Sequence, residues 1–178
     1  MNNFWGHLRT VHNHRKLVRK GCFKIGLFYQ GLTHDLSKYS FSEFITGIKY
    51  YQGTRSPNSA EREAVGYSEA WMHHKGRNKH HYEYWYDYLT VDGETKIMPV
   101  PMPDKYIAEM AIDRISASKI YKGEDYDDSC PLQYLQKGMG NSLMHKDTLD
   151  KLYGILLTLS NEGEERCYEY IKKEILKK

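Results

Sequence analysis

Cysteine is scarce in this chain of 178 residues: Cys22, Cys130 and Cys167 are an odd number, far apart, and without a CxxC spacing. That excludes a disulfide framework and a thiolate metal knuckle, and it suits a reducing compartment. No apolar run approaches the ~20 residues that cross a bilayer, so a transmembrane protein is not expected. The stretch MNNFWGHLRTVHNHRK has no secretory apolar region before a small-residue cleavage site, so a cytoplasmic location is the expectation. There is no internal repeat and no low-complexity tract. Neither sign of charge dominates: 26 Lys and Arg against 23 Asp and Glu leave +3, too little for a protein that wraps polyanions. What is present is aromatic surface. Sixteen Tyr, five Phe and three Trp supply ample area to bury at about 25 cal/mol per Å².

Histidine is the other surplus. Eight of the nine lie in the first 81 residues, and four fall in the stretch HHKGRNKHH. Their chemistry depends on which way they face, and the helical pattern answers part of that. Residues 3–20 carry Phe4, Leu8, Val11 and Val18 on one face, with Gly21 expected to interrupt before the pattern resumes over 22–33. Ser40 and Glu43 form a capping-box pattern for a helix to about Tyr51. Asn58 with Glu61 suits the cap of a helix whose stripe is Ala60, Ala64, Tyr67, Trp71 and His74, and the helical pattern returns through His81, Trp85 and Tyr88. LTVDGETKIMPV reads as a small hairpin around Asp92-Gly93. Asp104 starts a helix to about Lys122, a looser segment follows, and Asn161-Glu-Gly163 separates the last two helices, one with the stripe Leu149–Leu159 and one over 164–176. The expectation is an all-α single domain, with a core at about 3–122, a C-terminal helical pair at about 145–178 and one hairpin.

At 100° per residue His14 lies near the apolar face of the first helix, while His12 does not. His34 and Asp35 lie near the end of the next helical segment, and Asp113 lies on the Met110/Ala117 side of a later one. An ionised carboxylate taken out of water needs a partner. Three inward-facing sets of imidazole and carboxylate from three helices suit a divalent first-row cation such as Fe, Mn, Zn, Co or Ni. The second cluster divides by face. His74, Asn78, His81 and Trp85 continue the inward stripe, whereas His73, Arg77, His80 and Tyr84 are displaced by about 100° toward solvent. His74 and His81 are therefore preferred as ligands, with Asn78 and His80 as supporting or substrate contacts. On an unbroken helix His74 and His81 stand about 10 Å apart. A shared cluster then requires a break between His74 and Asn78, for which Gly76 is the permissive residue.

The order His14, then His34-Asp35, then Asp113 resembles the HD-domain superfamily of metal-dependent phosphohydrolases. HDLSK, from His34 to Lys38, is similar to the HDxGK form of its cyclic-dinucleotide-hydrolysing branch, with Ser37 in place of the Gly. The doubled His80-His81 resembles the extra ligands of binuclear members. The GYP signature of that branch is absent, so cyclic-dinucleotide hydrolysis is not carried over. The resemblance implies an HD-domain-like helical bundle with a first metal held by His14, His34, Asp35 and Asp113, and a second ion held by His74 and His81. It implies Asp35 and Lys38 as catalytic residues, with Lys38 on a phosphoryl group, and a small phosphorylated substrate such as a nucleotide. A di-iron oxygenase on the same ligands, and a non-catalytic nucleotide or nucleic-acid binder with a structural metal, are the alternatives. Lys75, Arg77 and Lys79 among Trp71, Tyr82, Tyr84 and Trp85 form the basic-aromatic pattern that a nucleic-acid platform would use, a reading that the small net charge disfavours. The C-terminal Leu/Ile stripe reads as core, with a homodimer face as its alternative.

Overall fold

The computed structural model describes residues 3–140 and 143–178. The first helix, α1 (Asn3–Lys24), runs unbroken through Gly21, contrary to the expected interruption. Gly21 serves close approach there: a Cβ would stand 2.6 Å from Ile112 Cγ2. The chain turns instead at Gly26, whose φ of +75° suits only glycine well. A short α2 (Phe28–Thr33) follows, His34 closes it, and Asp35 takes a left-handed φ of 53° before a 3₁₀ turn at Leu36–Tyr39.

Helix α3 (Phe41–Lys49) starts on Ser40, whose hydroxyl accepts from the Glu43 N–H. The expected single helix over 58–74 is two. Ser56 and Pro57 open α4 (Pro57–Val65), Gly66 ends it in a left-handed conformation, and Ser68 caps α5 (Glu69–Arg77) by accepting from Trp71 N–H. Pro57 fits the first helical position because its missing donor would be unpaired there. The periodic stripe continues across Gly66, which is why pattern alone joins the two helices.

Between Arg77 and Asp104 the chain forms no α-helix. A 3₁₀ turn at Tyr82–Tyr84 leads into a hairpin of β1 (Tyr86–Val91) and β2 (Glu94–Pro99), with Val91 opposite Glu94. Asp92 and Gly93 both have positive φ, 53° and 80°, as a type I′ turn demands. Trp85 and Tyr88 thus belong to the approach and first strand of the hairpin, not to a helix.

Three long elements carry the main core. Helix α6 (Asp104–Lys122) lies between α1 and α8 (Lys146–Tyr170), with α7 (Cys130–Met139) packed beside α8. The segment expected to be loose therefore contains a helix, started by Pro131 in its first turn. Gly163 kinks α8 with φ 82°, where a turn was expected, and a π turn at Ile171–Ile175 ends the chain's helical part. The buried cluster joins Val18 and Cys22 of α1 to Ile107, Ala111 and Ile112 of α6 and to Leu152, Ile155, Leu156 and Leu159 of α8. Fully burying each such aliphatic side chain is worth about 1.5–3 kcal/mol. The fold is all-α with one small antiparallel hairpin. Among the described residues no helix is long and apolar enough to cross a membrane.

Candidate metal centre

The edge of that core where α1 and α6 meet the His34–Lys38 turn is polar and buried. Val11 and Val18 carry one face of α1 inward, and His14 lies on the same face. One turn apart on α6, Glu109 and Asp113 project toward it. The left-handed Asp35 turns the chain so that His34 and Asp35 both point into the gap. Aspartate tolerates that conformation better than most residues.

Asp35 is the hub. On one side His14, His34, Asp35 and Asp113 place one ligand atom each within 4.8 Å of one another; on the other Asp35, His74, His80 and His81 do the same. Around the first group, His34 Nε2 stands 3.4 Å from His14 Nε2, 3.4 Å from Asp35 Oδ2 and 3.5 Å from Asp113 Oδ1. In the second, His74 Nε2 and His80 Nε2 lie 3.3 and 3.4 Å from Asp35 Oδ1. These separations are long for hydrogen bonds, which fall at 2.7–3.2 Å. They match the ligand-to-ligand edges, about 3–3.5 Å, of an ion held at bond lengths of ~2.0–2.2 Å.

The polar bookkeeping points the same way. Asp35 Oδ1, His80 Nε2 and His81 Nε2 are buried and lack a hydrogen-bond partner, and such groups carry a desolvation cost unless something binds them. Lys38 Nζ approaches Asp35 Oδ2 at 2.7 Å as an ion pair. The donor set, all imidazole and carboxylate with no thiolate, suits a first-row divalent ion. The residues present fit such a group at either side of Asp35.

Two glutamates hold the imidazoles in place. His34 Nδ1 donates to Glu109 Oε1 at 2.9 Å, and His80 Nδ1 lies 3.2 Å from the same oxygen. His74 Nδ1 donates to Glu43 Oε2 at 2.7 Å and His73 Nδ1 to Glu43 Oε1 at 2.6 Å. A carboxylate on Nδ1 fixes the ring and leaves Nε2 free to ligate. Neither glutamate stood out in the sequence as a site residue. The capping box expected at Ser40 and Glu43 is half formed: the Glu43 N–H reaches Ser40, but its carboxylate goes to the histidines. Glu109 carried one usable signal, its position one helical turn before Asp113 on the same face.

Burial is the largest influence on Asp35 and Asp113 and favours their neutral forms. The imidazoles, with Lys38 at Asp35, outweigh it and hold both well below the usual carboxylate range. For His34 burial opposes the charge, yet Asp35, Asp113 and Glu109 push it up to about 10. Burial, then Lys38, lowers His14; burial, then His80 and His74, puts His81 well below the ordinary imidazole range. Asp35 and Asp113 thus keep their negative charge and His14 and His81 their lone pairs, while the proton that the carboxylates hold on His34 is one a bound cation would displace.

The structure brings His14, His34, Asp35, His74, His81 and Asp113 together, and it corrects the placement of His80. The outward row assumed a helix through residue 81, but α5 ends at Arg77 and Asn78 takes an extended conformation. His80 is consequently buried and aims Nε2 at Asp35. The expected break is present, at Asn78, while Gly76 stays helical with open space around it. Asn78 spends its amide nitrogen on Ser37 Oγ and the His74 carbonyl, both at 2.8 Å. Lys75, Arg77 and Lys79 contribute nothing to the centre, and His12 faces outward against Tyr39.

No curated protein and no solved structure matches the chain. Residues 3–158, a stretch containing every residue of both donor groups, match the model of a family of unknown function, DUF5662, and the chain belongs to that family.

Proposed function

We propose that this protein is a metal-dependent phosphohydrolase acting on a nucleotide or another small phosphate ester. One ion would lie among His14, His34, Asp35 and Asp113, and a second among Asp35, His74, His80 and His81. The observation that carries this reading is Asp35: a buried carboxylate whose Oδ1 has no hydrogen-bond partner and whose Oδ2 meets only the Lys38 ammonium, shared by two groups of imidazoles at metal-edge spacing. The resemblance of His14, His34-Asp35 and Asp113 to the HD-domain order supports it. Bound divalent ions would supply a water with pKa lowered toward ~7 and polarise the phosphoryl oxygens.

The chain's own contribution is positioning and charge. Glu109 and Glu43 fix the imidazoles of three donor residues, His34, His74 and His80, and Asp35 spans the two groups. Lys38 is partly open to solvent beside a closed centre. Asp35 and Asp113 outweigh burial and keep its pKa above the ordinary lysine value, so it stays protonated and can offset negative charge on a phosphoryl group.

Metal analysis of anaerobically purified protein, with phosphate release from nucleotides and generic monoesters, tests this. Asp35→Asn preserves volume and tolerates the left-handed backbone; it should lose both ions and all hydrolysis. Lys38→Met should keep its metal and lose about 10²-fold in kcat. Full metal occupancy in Asp35→Asn would defeat the proposal, and oxygen consumption by iron-loaded protein without phosphate release would favour the oxygenase alternative.

A further inference from the structure

The net charge of +3 averages over a polarised chain. Residues 1–34 contain six Lys and Arg and no Asp or Glu, leaving 20 cations against 23 acids in the remainder. All six sit on α1. Arg9, His12, Asn13, Lys16, Arg19 and Lys20 are exposed. At 100° per residue they fall within an arc of about 120°, opposite the face that carries His14 into the centre. Their span is about 16 Å at 1.5 Å per residue. Lys24, at the helix end, pairs with Glu165. Among the described residues, Arg9, Lys16, Arg19 and Lys20 have no carboxylate in ion-pair range.

The ridge borders a concavity. A cleft of about 220 Å³ is lined by His12, Arg15, Lys16, Arg19, Gly31 and Tyr39, with no acid. Arg15 forms its floor: Nε donates to the His34 carbonyl at 2.8 Å, Nη2 to the Leu32 carbonyl at 3.1 Å, and the guanidinium lies 5.2 Å from the Tyr39 ring centroid. Beside it α2, packed along α1, holds Phe28 and Tyr29 out to solvent at 60% and 74% exposure.

We propose that this face of α1 and its cleft bind single-stranded nucleic acid, the cations taking backbone phosphates and Tyr29, Phe28 and Tyr39 offering surfaces for bases. Unpaired cations around an acid-free cleft suit a chain of phosphates, and aromatic platforms suit unpaired bases, whose faces a duplex hides. An anionic membrane fits less well: between Arg9 and Lys20 no apolar side chain lies within the cationic arc, Leu8 and Leu17 sit outside it, half-buried, and the exposed Trp5 and Phe23 share its direction only near the two ends of the helix. The surface is separate from the metal centre and stands independently of hydrolysis there.

Fluorescence anisotropy of a labelled 12-nucleotide oligo(dT) with the EDTA-treated full chain tests the proposal. Engaging three to four phosphates should give a slope of log K against log salt of about −2 to −3. Lys16→Glu/Arg19→Glu should weaken binding at least tenfold with an unchanged melting profile, and Tyr29→Ala should weaken it several-fold. Lys172→Glu/Lys173→Glu, the same charge change at the other end of the chain, should leave it intact. Equal binding by the α1 double variant, or binding indifferent to salt, overturns the proposal. So does association with phosphatidylserine vesicles when the oligonucleotide does not bind.

Discussion

Glu109 shows how much a single side chain organises. One of its oxygens touches His34 Nδ1, on the first donor group, and His80 Nδ1, on the second. A neutral amide of the same shape keeps an acceptor oxygen but loses the negative charge, so it holds the two Nδ1–H groups more weakly. Glu109→Gln should therefore weaken binding of both proposed ions, by the 10–100-fold typical of losing an outer carboxylate. Calorimetric titration of the stripped protein with Mn²⁺ or Zn²⁺ would show it, and a loss confined to one ion would limit Glu109 to one imidazole. Residues such as this are hard to find in a sequence. His14, His34, Asp35 and Asp113 could be found because ligand chemistry, helical face and an ordered motif agree on them. Glu43 and Glu109 look like any surface glutamate until the fold buries them.

Among the elements, the segment from Glu69 to Trp85 separates what periodicity can reveal from what it cannot. The inward face of α5 was legible through Trp71 and His74, and the need for a break before His81 followed from helix length alone. Its position was not legible, because Asn78 acts in part through a hydrogen bond to Ser37, a tertiary partner about forty residues away. The same reason explains Gly66 and Ser68, where one stripe runs across two helices, and α7, which was hidden in a stretch rich in turn residues. Gly76 can now be assigned a cost and no structural task. It sits in a helix with nothing near its missing Cβ. Gly76→Ala should stabilise the protein by up to about 1 kcal/mol and leave metal content unchanged, as urea titration and metal analysis would show. A destabilised variant would mean that the glycine is needed for a motion of α5.

At the scale of the whole molecule, α3–α5 and the three-helix core are held together differently from the core itself. No residue between 41 and 77 enters the main hydrophobic cluster. Part of the join is His7 of α1, packed against Phe44 and Tyr51, with Gly47 so close that a Cβ there would meet the His7 ring at 2.1 Å. Burial, then the charge of Lys38, lowers His7 to about 4. The unfolded chain takes that proton near pH 6.5 and the folded chain only near 4. The contribution is thus complete above about pH 6.5 and declines as pH falls through that window, by about 1–2 kcal/mol for a ring that solvent partly reaches. Urea titrations at pH 7 and 4.5 should show a smaller decline for His7→Leu than for the wild type; parallel declines would assign the slope to His14 and His81. Phe4 against Phe44 and Thr10 against Tyr51 add to the join, and a further part of it is the polar seam of Asp35, Glu43, His73, His74 and His80. On the proposed reading an ion there acts as a clasp between two parts of the fold, and its binding energy becomes local closing energy. Free ion at a hundred times its Kd adds about 2.7 kcal/mol. Chelation should speed amide exchange in 41–77 by roughly 10²-fold and leave α6 and α8 protected, a contrast that exchange mass spectrometry resolves and that a uniform change would refute. Loss of metal would then open this protein like a hinged case, along one edge, with its core still shut.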